Sequence, residues 1–264
     1  MVRGLYTAAS GAVVAQSNVD VISNNLANVN TSGFKRTLMQ IEAAPKTEIF
    51  RDQTDPGFGG GSRLAGVAAH ASVGDLGFGS RIYDTPVVFD QGAIQQTGNP
   101  LDVALSGPGF LAVQNAAGTV SYTRGGSFAK NAQNQLVTPD GNAVLGTDGK
   151  PIAVPAQGDF QIDRTGSVTA NGAQAGQLAV FEFANLNAVR PQGSAMFVNY
   201  GAPPKAATNT TVLQGAQEKS NADVITSMVG LIANERWFDA NEKVITTEDT
   251  AVGAAISTVG KSTP

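Results

Sequence analysis

The apolar positions of this chain change period along its length. From about Val2 to Val29 they recur every seven residues in two interleaved series. One is Leu5, Ala12, Val19 and Leu26; the other is Ala8, Ala15, Ile22 and Val29. Series offset by three and four residues line one face of a helix, so this spacing predicts an N-terminal helix with an a/d seam. The string Asn30-Thr31-Ser32-Gly33 follows as a stop signal, with Gly33 as its left-handed cap. From about Asn221 to Ser257 the period of seven returns at Val224, Leu231, Phe238, Ile245 and Val252. Met228, Ile232, Trp237, Val244 and Ile256 widen that stripe. Ser220 or Asn221 is placed to cap this second helix, with Asp223 in its first turn. Both stripes keep to seven rather than drifting at about 3.6, which favours helices packed on one another. The two ends are therefore expected to pair as a coiled coil.

Between them the pattern is one of short runs and turns. Leu101–Leu105, Phe110–Gln114, Val120–Arg124, Gln135–Thr138, Ala143–Leu145, Ile152–Val154, Phe160–Ile162, Ser167–Thr169, Leu178–Phe183 and Ala195–Val198 read as strands. Asp140-Gly141, Asp148-Gly149, Thr165-Gly166 and Asn171-Gly172 tolerate the positive φ that tight hairpins demand. From Thr37 to Asp84 neither period holds, and glycine runs at Asp55–Ser62 and Gly74–Ser80 punctuate the stretch. It reads as a partly extended arm that orders against a neighbour. The expected class is α+β: terminal helices over 1–36 and 216–264, an arm over 37–84, and a mostly antiparallel β domain over 85–215.

Composition adds one inference and removes several. Only 14% of the 264 residues are charged, against 42% hydrophobic. Between Met1 and Gly33 the charges are Arg3 and Asp20 alone. A helix meant to stand in water carries a charged outer face; this one carries Ser, Thr, Gln, Asn and Ala, as suits burial among other helices. Depleted charge is also a mark of interface cores. The formal net charge is -4 and no segment is rich in Lys and Arg, so a nucleic-acid partner has no electrostatic footprint. The opening lacks the charged and apolar regions of a cleaved signal peptide, and nothing approaches the run of about 18 apolar residues that spans a membrane.

Candidate chemistry is sparse. With no cysteine and one histidine, His70, neither a thiolate nor a multi-histidine metal site can form, and a Ser-His-acid triad would need His70 itself. Gly260-Lys261-Ser262 resembles the end of a phosphate loop, but Ala255 stands where its first glycine belongs. Asp102 and Asp163 are candidates for paired-carboxylate catalysis only as any acid is, and Asp102 suits a turn or structural role better. The reading is of a non-enzyme with no cofactor and no small-molecule substrate. A β-rich adhesin or glycan-binding module with oligomerising helices is the alternative from a different class, although it would need aromatics on the sheet, and the one tryptophan lies in the C-terminal helix.

Asn24-Asn25-Leu26-Ala27-Asn28-Val29-Asn30-Thr31-Ser32-Gly33-Phe34-Lys35-Arg36 resembles the N-terminal signature of the flagellar rod and hook proteins. Similar strings follow: Gly4-Leu-Tyr-Thr-Ala-Ala-Ser-Gly11, Pro100–Leu105 with Gly109-Phe110, Tyr122–Phe128, Leu136–Gly141 and Ser220–Val224. Glu235-Arg236-Trp237-Phe238 is bulkier than the family's Gln-Arg-Ala-Tyr-like string. Within the family, the opening and the region of Ala43-Ala44-Pro45 resemble the proximal, F-type rod subunits more than the distal, G-type ones. The resemblance implies terminal helices paired as the inner layer of a tube and a β domain outside it. It implies assembly with copies of itself and other rod subunits. It also implies passage through the flagellar export apparatus without a cleaved signal, a periplasmic basal-body location, and no membrane insertion. The signature residues are Asn24, Asn25, Leu26, Ala27, Asn28, Gly33 and Phe34. The expected assembly face is Leu5, Ala8, Ala12, Ala15, Val19, Ile22, Leu26 and Val29 with Val224, Met228, Leu231, Phe238, Ile245 and Val252.

Overall fold

The computed structural model describes residues 2–50, 72–155, 157–193 and 195–260. His70, the glycine run Asp55–Ser62, and Lys261 and Ser262 lie outside them. Two long helices stand at the ends, α1 (Val2–Ala27) and α2 (Val224–Gly260), with antiparallel strand pairs between. The class is α+β.

Helix α1 stops before the string expected to end it. Its last turn closes with Asn28 N–H on the Asn24 carbonyl, and tight turns follow through Thr31. Gly33 does adopt a left-handed φ of 71°, for a different reason. A side chain there would collide with the backbone of Arg124 and Gly125, so glycine is required by a close approach of two segments rather than by a helix end. At the start of α2 the cap is Asp223, two residues beyond the expected Asn221 and three beyond Ser220. Its Oδ1 accepts from Thr226 N–H (2.8 Å) and from the Thr226 hydroxyl (2.9 Å). Asn221 instead joins segments. Its Oδ1 accepts from Arg36 N–H, and its Nδ2 donates to the Val88 and Asp90 carbonyls.

The chain forms two compact units. One gathers residues 1–19, 39–84 and 232–264; the other gathers 20–38 and 85–231. In the first, the described part of the region that showed no period forms two strand pairs. Gln40–Ala43 lies antiparallel to Ser80–Asp84, and Lys46–Phe50 to Ser72–Gly77. The run from Gly74 is thus strand as far as Gly77, and the punctuation is Gly79, at a φ of 97°. No apolar alternation announces Gln40–Ala43 because that strand has no buried face.

The second unit holds the β domain. Its main sheet runs Val189–Pro191, Met196–Asn199, Val120–Thr123, Phe110–Gln114, Ala143–Val144, Leu136–Val137 and Ala129–Lys130. Val180–Glu182 pairs with the start of Phe110–Gln114 and also carries Lys205–Ala206. Every pairing is antiparallel. Phe160–Ile162, Ser167–Ala170 and Ala173–Gln177 form a separate three-stranded sheet. Two pairs bring late segments home: Thr211–Gln214 on Val103–Ser106, and Ala216–Glu218 on Ile94–Gln96. Expected strand Ile152–Val154 makes only isolated bridges around it, although Ile152 and Val154 are buried. Leu105, Leu111, Val113, Leu136, Val144, Val168 and Leu178 centre the core, and Phe89, Phe110, Phe183 and Phe197 form an edge-on aromatic cluster beside it.

Candidate assembly interface

The helices divide their faces in an unusual way. On α1, Ala8, Ala15 and Asn25 are buried; Leu5, Ala12, Val19, Ile22 and Leu26 are half-buried, as is Val29 beyond its end. On α2, Leu231, Phe238, Ile245 and Val252 are half-buried, whereas Val224 and Met228 are exposed. The covered stripe of α2 passes through Ser227, Leu231, Asn234, Phe238, Asn241, Ile245, Glu248 and Val252, so half of its positions are polar. Direct contacts link the two helices within the first unit. Asn18 Nδ2 donates to Asn234 Oδ1 at 2.7 Å. Glu248 Oε1 lies 2.8 Å from where a Gly4 side chain would begin, and Asn241 Oδ1 lies 2.7 Å from the same point at Gly11. In the second unit Ile22 packs over Gly230.

Other large apolar residues of α2 are exposed. In the second unit Ile225 is 73% exposed, Met228 54% and Val229 62%. In the first, Ile232, Trp237, Val244 and Ile256 are exposed too, and on α1 so are Tyr6 and Val13. Scattered apolar surface is ordinary; Ile225, Met228 and Val229, three and four residues apart, share one face of the helix.

In the second unit, a charged cluster sits where the chain leaves α1 and where it approaches α2. Glu218 is 0% exposed. Its Oε1 accepts from Lys35 Nζ (2.5 Å) and Gly92 N–H (2.8 Å), and its Oε2 faces Arg124 Nη1 (3.4 Å). Lys35 also donates to the Asp90 carbonyl, and the Arg124 guanidinium lies 4.7 Å over the Phe110 ring. The Glu218 carbonyl accepts from Gly33 N–H (2.8 Å) and the Ser32 hydroxyl (3.1 Å). Burial holds Lys35 below the usual lysine range, opposed by its hydrogen bond and attraction to Glu218. It lowers Arg124 likewise, against the same carboxylate. One anion with two cations and a backbone donor thus ties the signature loop to the strand before α2.

Of the signature residues, Gly33 meets this cluster directly, through its N–H on the Glu218 carbonyl. Asn25 brackets the backbone of Thr37, accepting from its N–H (2.9 Å) and donating to its carbonyl (2.8 Å). Asn28 turns back to the Asn24 carbonyl, Leu26 is half-buried, Ala27 and Asn24 are exposed, and Phe34 is buried. Lys35 and Arg124 belong to the strings that carry the family resemblance. Glu218 does not: it falls in the stretch from 216 expected to belong to the C-terminal helix, and it lies instead on the strand Ala216–Glu218. The polar stripe of α2 also escapes an apolar reading, although Asn234, Asn241 and Glu248 are spaced by sevens.

Asp102 and Asp163 order turns. The first accepts from the Thr97 hydroxyl and the Asn99 amide; the second accepts from Thr165 N–H. A cavity of about 390 Å³ in the second unit is lined by Thr31, Ser32, Thr123, Ser127 and Thr138, with Asp140 its one charged group. Among the described residues no cluster of His, Cys, Asp and Glu could hold a metal, and no helix is long and apolar enough to cross a membrane.

Three known families match successive parts of the chain. They are the flagella basal body rod protein family over residues 5–35, the flagellar hook protein FlgE/F/G D1 domain over 104–170, and the flagellar basal body rod FlgEFG protein C-terminal family over 213–258. The flagellar basal-body rod protein FlgG of Agrobacterium fabrum is 36% identical over 267 residues, covering 94% of this chain and 95% of its own length. FlgG of Bacillus subtilis is 32% identical over 263 residues, covering 94% and 96%. The flagellar hook-basal body complex protein FlhO of Bacillus subtilis is 30% identical over 280 residues, covering 99% and 100%. The opening strings favoured an F-type subunit, but G-type relatives of this extent make the distal reading the better fit. With flagellar families matched at both helices and in the β domain, and relatives aligned over nearly its full length, the chain belongs to the flagellar basal-body rod protein family, as a structural subunit of the rod.

Proposed function

We propose that α1 and α2 form an antiparallel coiled coil that becomes the inner layer of the rod, and that the outward apolar face of α2 packs against neighbouring copies. The observation that carries this is the exposed set Ile225, Met228, Val229 and Ile232 on a helix whose other face is already covered. Burying each of these side chains is worth about 1.5–3 kcal/mol before ordering costs. Copies joined head to tail without ring closure build a helical tube, and helices packed along such a tube resist twist. The β domain then lies outside the helices and the subunit transmits torque in the distal part of the rod. The arm over residues 37–84 reaches a neighbour. The chain leaves the cell through the flagellar export apparatus without a cleaved signal, assembles in the periplasm, and does no catalysis.

The test is the double variant Met228→Asp, Ile232→Asp, which places charges on the outer face and touches no described helix–helix contact. The expected chain is secreted and folded yet absent from purified basal bodies, and its cells do not swim. Incorporation at the normal level would remove α2's outer face from the account.

A further inference from the structure

Three contacts in the first unit fall into step. Gly4 meets Glu248, Gly11 meets Asn241, and Asn18 meets Asn234. Each advance of one heptad on α1 is a retreat of one heptad on α2. Between these layers the covered residues are Ala8 and Ala15 on α1, with Phe238 and Ile245 on α2. Polar and apolar layers therefore alternate, and the two upper polar layers each set a large polar side chain against a glycine. The fit is close. A Cβ at Gly4 would stand 2.8 Å from the Glu248 carboxylate, and one at Gly11 would stand 2.7 Å from Asn241. The Glu248 layer is also strained in polar terms, since its buried Oε2 has no hydrogen-bond partner among the described residues. An all-apolar seam would be more stable. A buried polar layer is known instead for selecting register at the expense of stability.

We infer that the Gly4–Glu248, Gly11–Asn241 and Asn18–Asn234 layers are a register key: they reject half-heptad slips of α1 on α2 and the one-heptad slip that carries Asn18 past Asn234. This rests on the proposed pairing of the two helices. A half-heptad slip would bring Ala8 or Ala15 into the space the polar side chains need. A slip of one heptad that moved Asn18 past Asn234 would leave that amide without its partner. The key also assigns the two faces of α2. The face bearing Asn234, Asn241 and Glu248 is matched by α1 of the same chain, which leaves the apolar face for other copies. A subunit added with its helices one heptad out of step would present that apolar face at the wrong height.

The key is tested by disulfide trapping in the purified full-length chain, which has no cysteine of its own. Ala15→Cys with Phe238→Cys reports the native register, and Ala8→Cys with Phe238→Cys reports one slipped by a heptad. On the parent background only the native pair is expected to link. Adding Asn18→Leu and Asn234→Leu should raise the helix melting temperature and let the slipped pair link about as readily as the native one. If the chain so altered aggregates, Asn241→Ala, which removes a polar group and adds no volume, is scored in the same way. Exclusive native linkage in the altered chains, or slipped linkage in the parent, overturns the key while leaving the helix pair intact. A parent that links in neither register overturns the pairing itself.

Discussion

Glu218 brings a carboxylate into a site with no solvent contact, where Lys35, Arg124 and Gly92 meet it. Removing one partner of such a group is far more damaging than replacing the whole set, because the remaining charges stay buried and unmatched. Glu218→Gln should therefore destabilise the second unit by about 3–5 kcal/mol, read as a lower urea midpoint. Lys35→Met, Arg124→Met and Glu218→Leu together should recover most of that loss. An unchanged midpoint for Glu218→Gln would mean that the cluster contributes little to holding the signature loop. Legibility at this scale was uneven. Lys35, Arg124 and Gly33 sit in strings that stand out in the sequence, but what joins them is a glutamate on a short strand flanked by Gln217 and Lys219, and nothing local marks it as buried. The partners lie 94 and 183 residues away, a separation that one sequence does not disclose.

Among elements, the helices were the most legible, because a seven-residue repeat held over many turns is the mark of a helix packed along one face. Their ends moved by a few residues, as capping chemistry decides them. Asp223 rather than Ser220 or Asn221 caps α2, since Asn221 is engaged with Arg36, Val88 and Asp90. Hydrogen bonds from the Thr226 N–H, then from its hydroxyl, hold the Asp223 carboxyl below its usual value of 3.8. A carboxyl depressed in the folded state stabilises above the unfolded value and stops doing so as pH falls through the folded one. The first turn of α2 should keep its protection down to about pH 4 and lose it below, as seen in hydrogen exchange at Thr226 and Ser227. In Asp223→Asn, which does not titrate, protection should be flat over the same range. The arm was the least legible element. Gln40–Ala43 offers no buried face to alternate against, so its strands are specified by their pairing and leave no periodic trace.

For the whole molecule, the clearest expectation concerns how much of it stands without its first helix. A chain lacking residues 1–30 keeps Ser32, Gly33 and Lys35, and with them the ties to Glu218. Its β domain should unfold cooperatively in calorimetry, and the chain should fail to enter rods. A shortened chain recovered in basal bodies would show that α1 is dispensable for assembly. The paired stem of the arm has a consequence of its own. Lys46–Phe50 and Ser72–Gly77 are zipped together on either side of residues 51–71, so extra sequence introduced between the two strands need not disturb the register of their pairing. Doubling a closed loop's length adds only about 0.6 kcal/mol. An epitope tag grafted between residues 55 and 62 should leave thermal stability nearly unchanged, which makes that stretch of sequence the place to attach a label for following single subunits.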